Sequence, residues 1–176
     1  MDVAVVGQVA RDLVLRVDQV PGAGTSVPVR ERIETLGGKG ANQAVSLAQL
    51  GASVALVGVV GDDADADRVL DRARADGIDV TAVTRRAGSR TGLIVDIVDD
   101  DATWRYLEDL PSSVLLTEQD VAASAELLAA ARAVTVQLQQ PVDAALAAAR
   151  AARQAGALVV LDGAPGERSA VDELLA

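Results

Sequence analysis

The only lysine and the only asparagine of this 176-residue chain, Lys39 and Asn42, lie within four positions of each other. Both belong to the stretch Leu36–Ala44, where an extended segment gives way to an apolar helix. The stretch also holds three glycines: Gly37, Gly38 and Gly40. Glycines let backbone N–H groups approach a ligand closely, and a helix N-terminus carries about half a positive charge. The stretch therefore predicts a site for an anion or for a row of hydroxyl groups.

Two common phosphate-binding motifs do not fit this stretch. A P-loop requires glycine six positions before the lysine and Ser or Thr after it, but Ile33 and Gly40 occupy those positions. A dinucleotide-binding G-x-G-x-x-G motif would require glycine where Gln43 stands. On spacing alone, a glycine-rich turn from strand to helix with an incidental lysine remains the alternative.

Short apolar runs alternate with helical segments and must position this site. Buried strands are predicted at Val3–Gly7, Ser53–Val60, Ala133–Leu138 and Ala157–Leu161. Helices are predicted to begin near Ala41, Asp62, Thr117 and Pro141 and to end near Gly51, Gly77, Arg132 and Gly156. This order predicts an α/β fold with a doubly wound, mainly parallel sheet and helices on both faces. Ligands then bind beyond the carboxyl ends of the strands, where Asp12, Gln139 and Asp162 fall.

Other segments alternate between apolar and polar residues, which is typical of half-exposed strands. These segments are Leu13–Val17, Val27–Leu36, Thr91–Val98 and Thr103–Leu107, and Val80–Thr84 is predicted to be a further strand. The acidic triplet Asp99–Asp101 is predicted to be a hairpin turn, because the spacing of a calcium-binding loop is absent. The charged run Asp62–Asp76 is predicted to be a solvated helix face, on which like-charged pairs such as Asp67 with Asp71 repel.

Composition excludes several classes of function. The net charge of −10 disfavours binding to nucleic acid and to anionic membranes. Cysteine and histidine are absent, so disulfides, thiol chemistry and Ser–His or Cys–His mechanisms are excluded. The N-terminus lacks the pattern of a signal peptide and no apolar run reaches the length of a membrane span, so a cytoplasmic location is expected.

Three stretches together resemble the first signature of a known family: Gly37–Ala44, Leu50–Ala52 and Val60–Asp63. They resemble the ribokinase-like (PfkB) family of carbohydrate kinases, and within it the ribokinase type. The resemblance runs in order from Val6–Gly7 to Asp162–Pro165, which is most of the chain. It implies one kinase domain, of which residues 1–176 are the N-terminal part. The core would comprise residues of about 1–11, 40–77 and 117–176, and a small β-sheet lid would comprise about 12–36 and 90–108.

The resemblance implies a kinase that transfers the γ-phosphoryl group of ATP to a primary hydroxyl of a sugar, with Mg²⁺ and with dependence on K⁺ left open. By the same resemblance, Asp12, Asn42 and Gln139 would hydrogen-bond sugar hydroxyls. Gly38 and Gly40 would present backbone groups, and Lys39 would add charge nearby. The lid is expected to close over the sugar and to pair with a second copy, which gives a homodimer.

The sequence departs from the family pattern at Ala10, where ribokinases have Asn, and at Gln139, where they have Glu. Both changes place D-ribose in doubt but leave another pentose, a hexose, a sugar acid or a nucleoside open. The ATP-binding C-terminal half of such kinases is absent from these 176 residues, so no catalytic residue is assigned and the fragment is expected to be inactive. The alternative is a non-catalytic protein that binds a sugar or nucleoside, or that only dimerises.

Overall fold

Five parallel strands form the central sheet of the computed structural model, which describes residues 1–163 and Leu174. The Ala164–Pro165 end of the family resemblance lies outside these residues. In spatial order the strands are β5 (Val83–Arg86), β4 (Val54–Gly61), β1 (Val3–Val6), β8 (Ala133–Gln137) and β9 (Leu158–Asp162). Every neighbouring pair is parallel. The predicted α/β fold with a mainly parallel sheet is therefore confirmed.

Helices cover both faces of this sheet. They are α1 (Lys39–Gln49), α2 (Ala64–Ala75), α3 (Glu118–Ala123), α4 (Ala125–Ala129) and α5 (Val142–Gln154). Successive strand residues enter opposite cores: Val5 packs with α1 and α2, whereas Val6 packs with α5. Small side chains allow close packing, and α5 buries five alanines: Ala144, Ala145, Ala148, Ala149 and Ala152.

A second sheet of four strands forms the lid, in the spatial order β3 (Glu31–Gly37), β2 (Ala10–Arg16), β6 (Gly92–Val98) and β7 (Trp104–Asp109). Strand β2 runs antiparallel to β3 but parallel to β6, and β6 runs antiparallel to β7. As predicted, Asp99–Asp101 lies at the β6–β7 hairpin, where the Asp99 carboxylate accepts a hydrogen bond from the Thr103 N–H at 2.9 Å.

The lid strands begin at other residues than the sequence indicated. Strand β3 begins at Glu31, so Val27–Arg30 lies outside it, which is consistent with Pro28 having no N–H to donate to a sheet. Strand β2 begins three residues before Leu13, because Ala10 pairs with both Gly37 and Gly92.

Two predicted core elements also differ from the structure. The strand expected at Val80–Thr84 begins at Val83, because a tight turn precedes it in which the Val83 N–H donates to the Val80 carbonyl at 3.0 Å. The single helix expected over Thr117–Arg132 is two helices that meet at Ser124, whose N–H closes a tighter i→i+3 hydrogen bond to Val121. Thr117 caps the first helix, as predicted.

The charged face of α2 carries pairs of opposite charge in addition to the like-charged pairs that the sequence predicts to repel. Three arginines of this helix pair with nearby carboxylates: Arg68 with Asp65 at 2.5 Å, Arg72 with Asp76 at 3.0 Å and Arg74 with Asp71 at 2.8 Å. Asp67 turns away to pair with Arg85 of β5. Each such exposed pair contributes a few tenths of a kcal/mol, about 0.3–0.5 in a helix.

One edge of the central sheet is open to solvent in the described part of the chain. Strand β9 pairs with β8 on one side only. Its outward residues Leu158 and Val160 are 66% and 45% exposed, which is unusual for apolar residues of a parallel strand. None of the helices in residues 1–163 is long and apolar enough to cross a bilayer.

Candidate functional site

A cleft of about 280 Å³ lies between the N-terminus of α1 and one face of the lid sheet. Its walls bring together residues from β2, α1, β6 and β7. The lining residues are Gln8, Asp12, Gly38, Lys39, Asn42, Ile94, Asp96, Trp104, Tyr106 and Glu108. Four of the six predicted site residues therefore meet here, although they are separated by as many as 30 positions in the sequence.

Strand register explains why the lid residues face the cleft. Asp12 of β2 lies opposite Ile94 of β6, which in turn lies opposite Glu108 of β7. Residues two positions apart on a strand point to the same face, so Asp96 and Tyr106, which also pair, extend the same surface. The lid thus presents one continuous face of carboxylates and aromatic rings to the end of α1.

Glycines allow α1 to begin close to the end of β1. Gly38 has a φ of 86°, a left-handed conformation that favours glycine, and a Cβ built on it would lie 2.8 Å from the Gln8 carbonyl oxygen. A Cβ on Gly40 would lie 2.6 Å from the carbonyl carbon of Gly7. Gly40 is buried and is not among the residues that line the cleft. Its backbone therefore packs against the backbone of Gly7 and does not face the cleft.

The carboxyl group of Asp12 in the cleft has a raised pKa. Burial and, to a smaller extent, the nearby Asp96 carboxylate raise the pKa of its carboxyl to about 6, against a hydrogen bond from the Gly38 N–H that lowers it. The Oδ1 atom of Asp12 is buried without a hydrogen-bond partner. A partly desolvated carboxylate with an unsatisfied oxygen is poised to accept a hydrogen bond from a ligand.

The charge balance of the cleft favours a ligand with hydroxyl groups over an anion. Three carboxylates line it, those of Asp12, Asp96 and Glu108, against the single ammonium group of Lys39 among the described lining residues. Asn42 adds an exposed amide, which can both donate and accept hydrogen bonds. Of the two ligand classes that the sequence left open, the structure is better suited to hydroxyl groups.

The only tryptophan and the only tyrosine of the chain stack on each other at the lid side of the cleft. The ring centroids of Trp104 and Tyr106 are 5.3 Å apart with an interplanar angle of 15°, and the side chains are 62% and 49% exposed. Stacked rings at this exposure offer an apolar platform to the C–H face of a ligand. Sequence analysis missed both residues, although their rarity and their two-residue spacing on a strand were a usable signal.

Gln139 lies outside the cleft lining but is connected to it through a chain of amides. The Gln8 N–H donates to Gln137 Oε1 at 3.0 Å, and Gln137 Nε2 donates to Gln139 Oε1 at 2.9 Å. The Gln8 N–H can donate only to the oxygen of the Gln137 amide, so the Gln137 nitrogen faces Gln139. The side-chain oxygen of Gln139 is therefore already occupied by a hydrogen bond. The exposed Gln139 is thereby held near the carboxyl ends of β1 and β8.

A second opening of about 490 Å³ adjoins the first, since Asn42 lines both. Its walls come from α1 and from β8 and β9. Gln43 connects these elements: its Nε2 donates to Asp162 Oδ2 at 2.8 Å, and its Oε1 accepts from Thr135 Oγ1 at 3.1 Å. Gln43, which stands where a dinucleotide-binding motif would have glycine, therefore joins α1 to the open edge of the sheet.

Known proteins resemble this chain in sequence and in fold. The sequence profile described as "pfkB family carbohydrate kinase" matches residues 1–176. Deoxyribokinase of Salmonella typhi is 29% identical over 168 residues, which is 96% of this chain and 55% of that protein. Ribokinase of Haemophilus influenzae is 30% identical over 171 residues, 97% of this chain and 56% of that protein.

A solved structure, that of ribokinase from Giardia lamblia, has the same fold. It superposes with a TM-score of 0.84 at 23% identity, covering 99% of this chain and 58% of that one. The chain thus spans about half the length of the relatives that it matches.

Proposed function

Since the chain belongs to the pfkB family of carbohydrate kinases, we propose that it forms the sugar-binding and lid part of an ATP-dependent kinase that phosphorylates a primary hydroxyl of a sugar. The observation that carries the proposal is the unsatisfied Asp12 carboxylate, which faces a cleft lined by Asn42, Lys39 and a stacked aromatic pair. These groups match a small polyol, with hydrogen-bonding hydroxyls on one side and C–H groups on the other.

Each described residue has a distinct part in this proposal. The Asp12 carboxylate accepts hydrogen bonds from sugar hydroxyls, and Asn42 donates and accepts at the same end of the cleft. Trp104 packs against the apolar face of the sugar. Lys39 at the start of α1 stabilises negative charge close to the bound sugar, which suits a reaction in which phosphoryl oxygens approach.

The nucleotide is proposed for the full-length protein only. Within residues 1–163 and Leu174, no three or more His, Cys, Asp or Glu side chains are grouped so that they could hold a metal ion. No step of the reaction is assigned to the described residues beyond binding and orienting the sugar. Phosphoryl transfer depends on the positioning of both substrates, so sugar binding by this part is necessary but not sufficient for turnover.

The sugar is proposed to be a pentose or a related polyol. Ala10 is fully buried and offers no hydrogen-bonding side chain, and Gln139 replaces a carboxylate with an amide whose oxygen is already engaged. Loss of a hydrogen bond to a charged partner costs about 1.5–3 kcal/mol, and loss of a neutral hydrogen bond costs about 0.5–1.5 kcal/mol. Both losses disfavour D-ribose. The names of the relatives, ribokinase and deoxyribokinase, define the first two sugars to compare.

A lid-to-lid homodimer is also proposed. Two large apolar side chains of the lid region that do not line the sugar cleft, Val29 and Ile33, are 46% and 43% exposed. A second copy related by a two-fold axis would cover these side chains with one self-complementary surface.

The proposed function is tested by a coupled assay of ATP consumption with the full-length protein, supplied in turn with ribose, 2-deoxyribose, other pentoses, hexoses and nucleosides. We expect sugar-dependent production of ADP, at least about tenfold lower in the Asp12→Asn variant at subsaturating sugar. Saturable sugar binding without ADP production would instead favour a non-catalytic binding protein. Absence of both would refute the proposal.

A further inference from the structure

A separate, smaller cavity lies at the base of the lid, on the other side of β2 from the sugar cleft. It has a volume of about 150 Å³ and shares no lining residue with the cleft. Its walls come from β2, β3 and α2, and the lining residues include Arg11, Glu34, Leu36, Arg68, Val69 and Arg72. The cavity therefore lies where the lid meets the core.

Arg11 lines this cavity because successive strand residues point to opposite faces, so that Asp12 faces the cleft and Arg11 faces α2. Its Nη1 atom lies 3.0 Å from both carboxylate oxygens of Asp65 and 3.7 Å from Glu34 Oε2. Its Nε atom is buried and has no hydrogen-bond partner. A buried guanidinium N–H without an acceptor is rare in folded proteins, so this donor is available to a ligand.

Arginines predominate among the charged residues that line the cavity, although carboxylates outside the lining pair with them. Three guanidinium groups line it against one carboxylate, although the chain as a whole carries a net charge of −10. Arg68 and Arg72 each pair with one carboxylate outside the cavity lining, Asp65 and Asp76. A guanidinium has five N–H donors, so one such pair leaves donors for a ligand.

We propose that this cavity binds a small tetrahedral oxyanion of the phosphate or sulfate type, held by Arg11, Arg68 and Arg72. A volume of 150 Å³ corresponds to about five water molecules, which is sufficient for such an ion. Arg11 Nε would donate one hydrogen bond, and the planar forks of Arg68 and Arg72 match pairs of oxyanion oxygens. The ion would connect α2 of the core to β2 of the lid.

This site lies next to the sugar cleft without overlapping it. Thr35, which also lines the cavity, is the cross-strand partner of Asp12 on β2. An ion that fixes Arg11 of β2 against α2 also fixes the strand that carries the sugar-binding carboxylate of Asp12. The proposal does not rest on the identity of the sugar or on catalysis, so its failure is distinguishable from failure of the proposed function.

The experiment is a calorimetric titration of the full-length protein with sodium sulfate, at constant ionic strength maintained with sodium chloride. We expect saturable binding to one site, weakened at least about tenfold by Arg68→Gln combined with Arg72→Gln. The matched control combines Arg74→Gln with Arg132→Gln, which also removes two exposed positive charges, each paired with one carboxylate, but away from the cavity. The control variant should bind sulfate like the wild type.

Absence of saturable binding to the wild type, or an equal loss in both double variants, would overturn the proposal and indicate that water satisfies Arg11. A second variant tests the buried donor itself. Arg11→Lys keeps a positive charge near Asp65 but removes Nε, and we expect weaker sulfate binding with an unchanged far-ultraviolet circular dichroism spectrum. Wild-type affinity in this folded variant would contradict the assigned role of Arg11.

Discussion

Replacing Asp12 with asparagine tests the central claim about the cleft, because it should weaken sugar binding and stabilise the fold at once. Burial and Asp96 raise the pKa of the Asp12 carboxyl from its ordinary 3.8 to about 6. A raised carboxyl pKa means that the ionised form is disfavoured in the folded state. The free-energy cost of ionised Asp12 to folding is fully present above pH 6, shrinks as the pH falls toward 3.8, and is absent below that pH.

The magnitude follows from the shift and from the exposure of the group. A shift of about two pKa units corresponds to about 3 kcal/mol at most, and partial exposure to solvent reduces it to about 1 kcal/mol. In a protein of this size, removing a cost of about 1 kcal/mol raises the melting temperature of the Asp12→Asn variant by about 2–4 °C at pH 8. Loss of a charge-assisted hydrogen bond should weaken sugar binding by about 1.5–3 kcal/mol, or roughly 10- to 160-fold.

The assay is thermal unfolding of wild type and variant at pH 4 and pH 8, combined with sugar titration at pH 8. The control is Asp101→Asn, the same substitution at an exposed position of the β6–β7 turn, which should change neither quantity. A variant that is less stable than wild type at pH 8, or a stability difference that is equal at both pH values, would refute the electrostatic reasoning. Unchanged sugar affinity would refute the assignment of Asp12 to the site.

Three further predictions address packing, specificity and assembly. Gly40→Ala should destabilise the fold by about 1–3 kcal/mol in denaturant titration, because its Cβ would lie 2.6 Å from the Gly7 backbone; Gly22→Ala, with nothing within 4 Å, is the control. Gln139→Glu should tighten ribose binding measured by calorimetry, and an unchanged affinity in a folded variant would count against a sugar bound near this residue. Ile33→Asp should dissociate a dimer in sedimentation or raise the sugar KM, and a wild-type monomer at high concentration would show that the dimer is wrong.

Strands β1, β4 and β9 of the central sheet could be predicted from the sequence because they are apolar runs with a glycine at or near one end. Val54–Gly61 is buried at every position, as expected for a central strand of a parallel sheet. Helix ends at Gly51, Gly77 and Gly156 were also predictable, since each adopts a positive φ just after the last turn. Local chemistry decided these features.

Half of the cleft could not be predicted, because it depends on pairing between distant strands. Asp96 and Glu108 reach the site only through the parallel pairing of β2 with β6, about 80 residues apart in the sequence, and of β6 with β7. No local pattern in Thr91–Leu107 specifies which strand lies beside it. The alternation predicts two faces correctly but not which of them meets Asp12.

The open side of β9 makes the described chain a template for another polypeptide. Its unpaired backbone groups, beside the exposed side chains of Leu158 and Val160, are able to accept an incoming strand in parallel or antiparallel register. Solubility of this chain when it is produced alone would therefore depend on what occupies that edge. A second polypeptide that supplies a strand in trans should suppress self-association, and charged substitutions at Leu158 and Val160 should have the same effect without disturbing the sugar cleft.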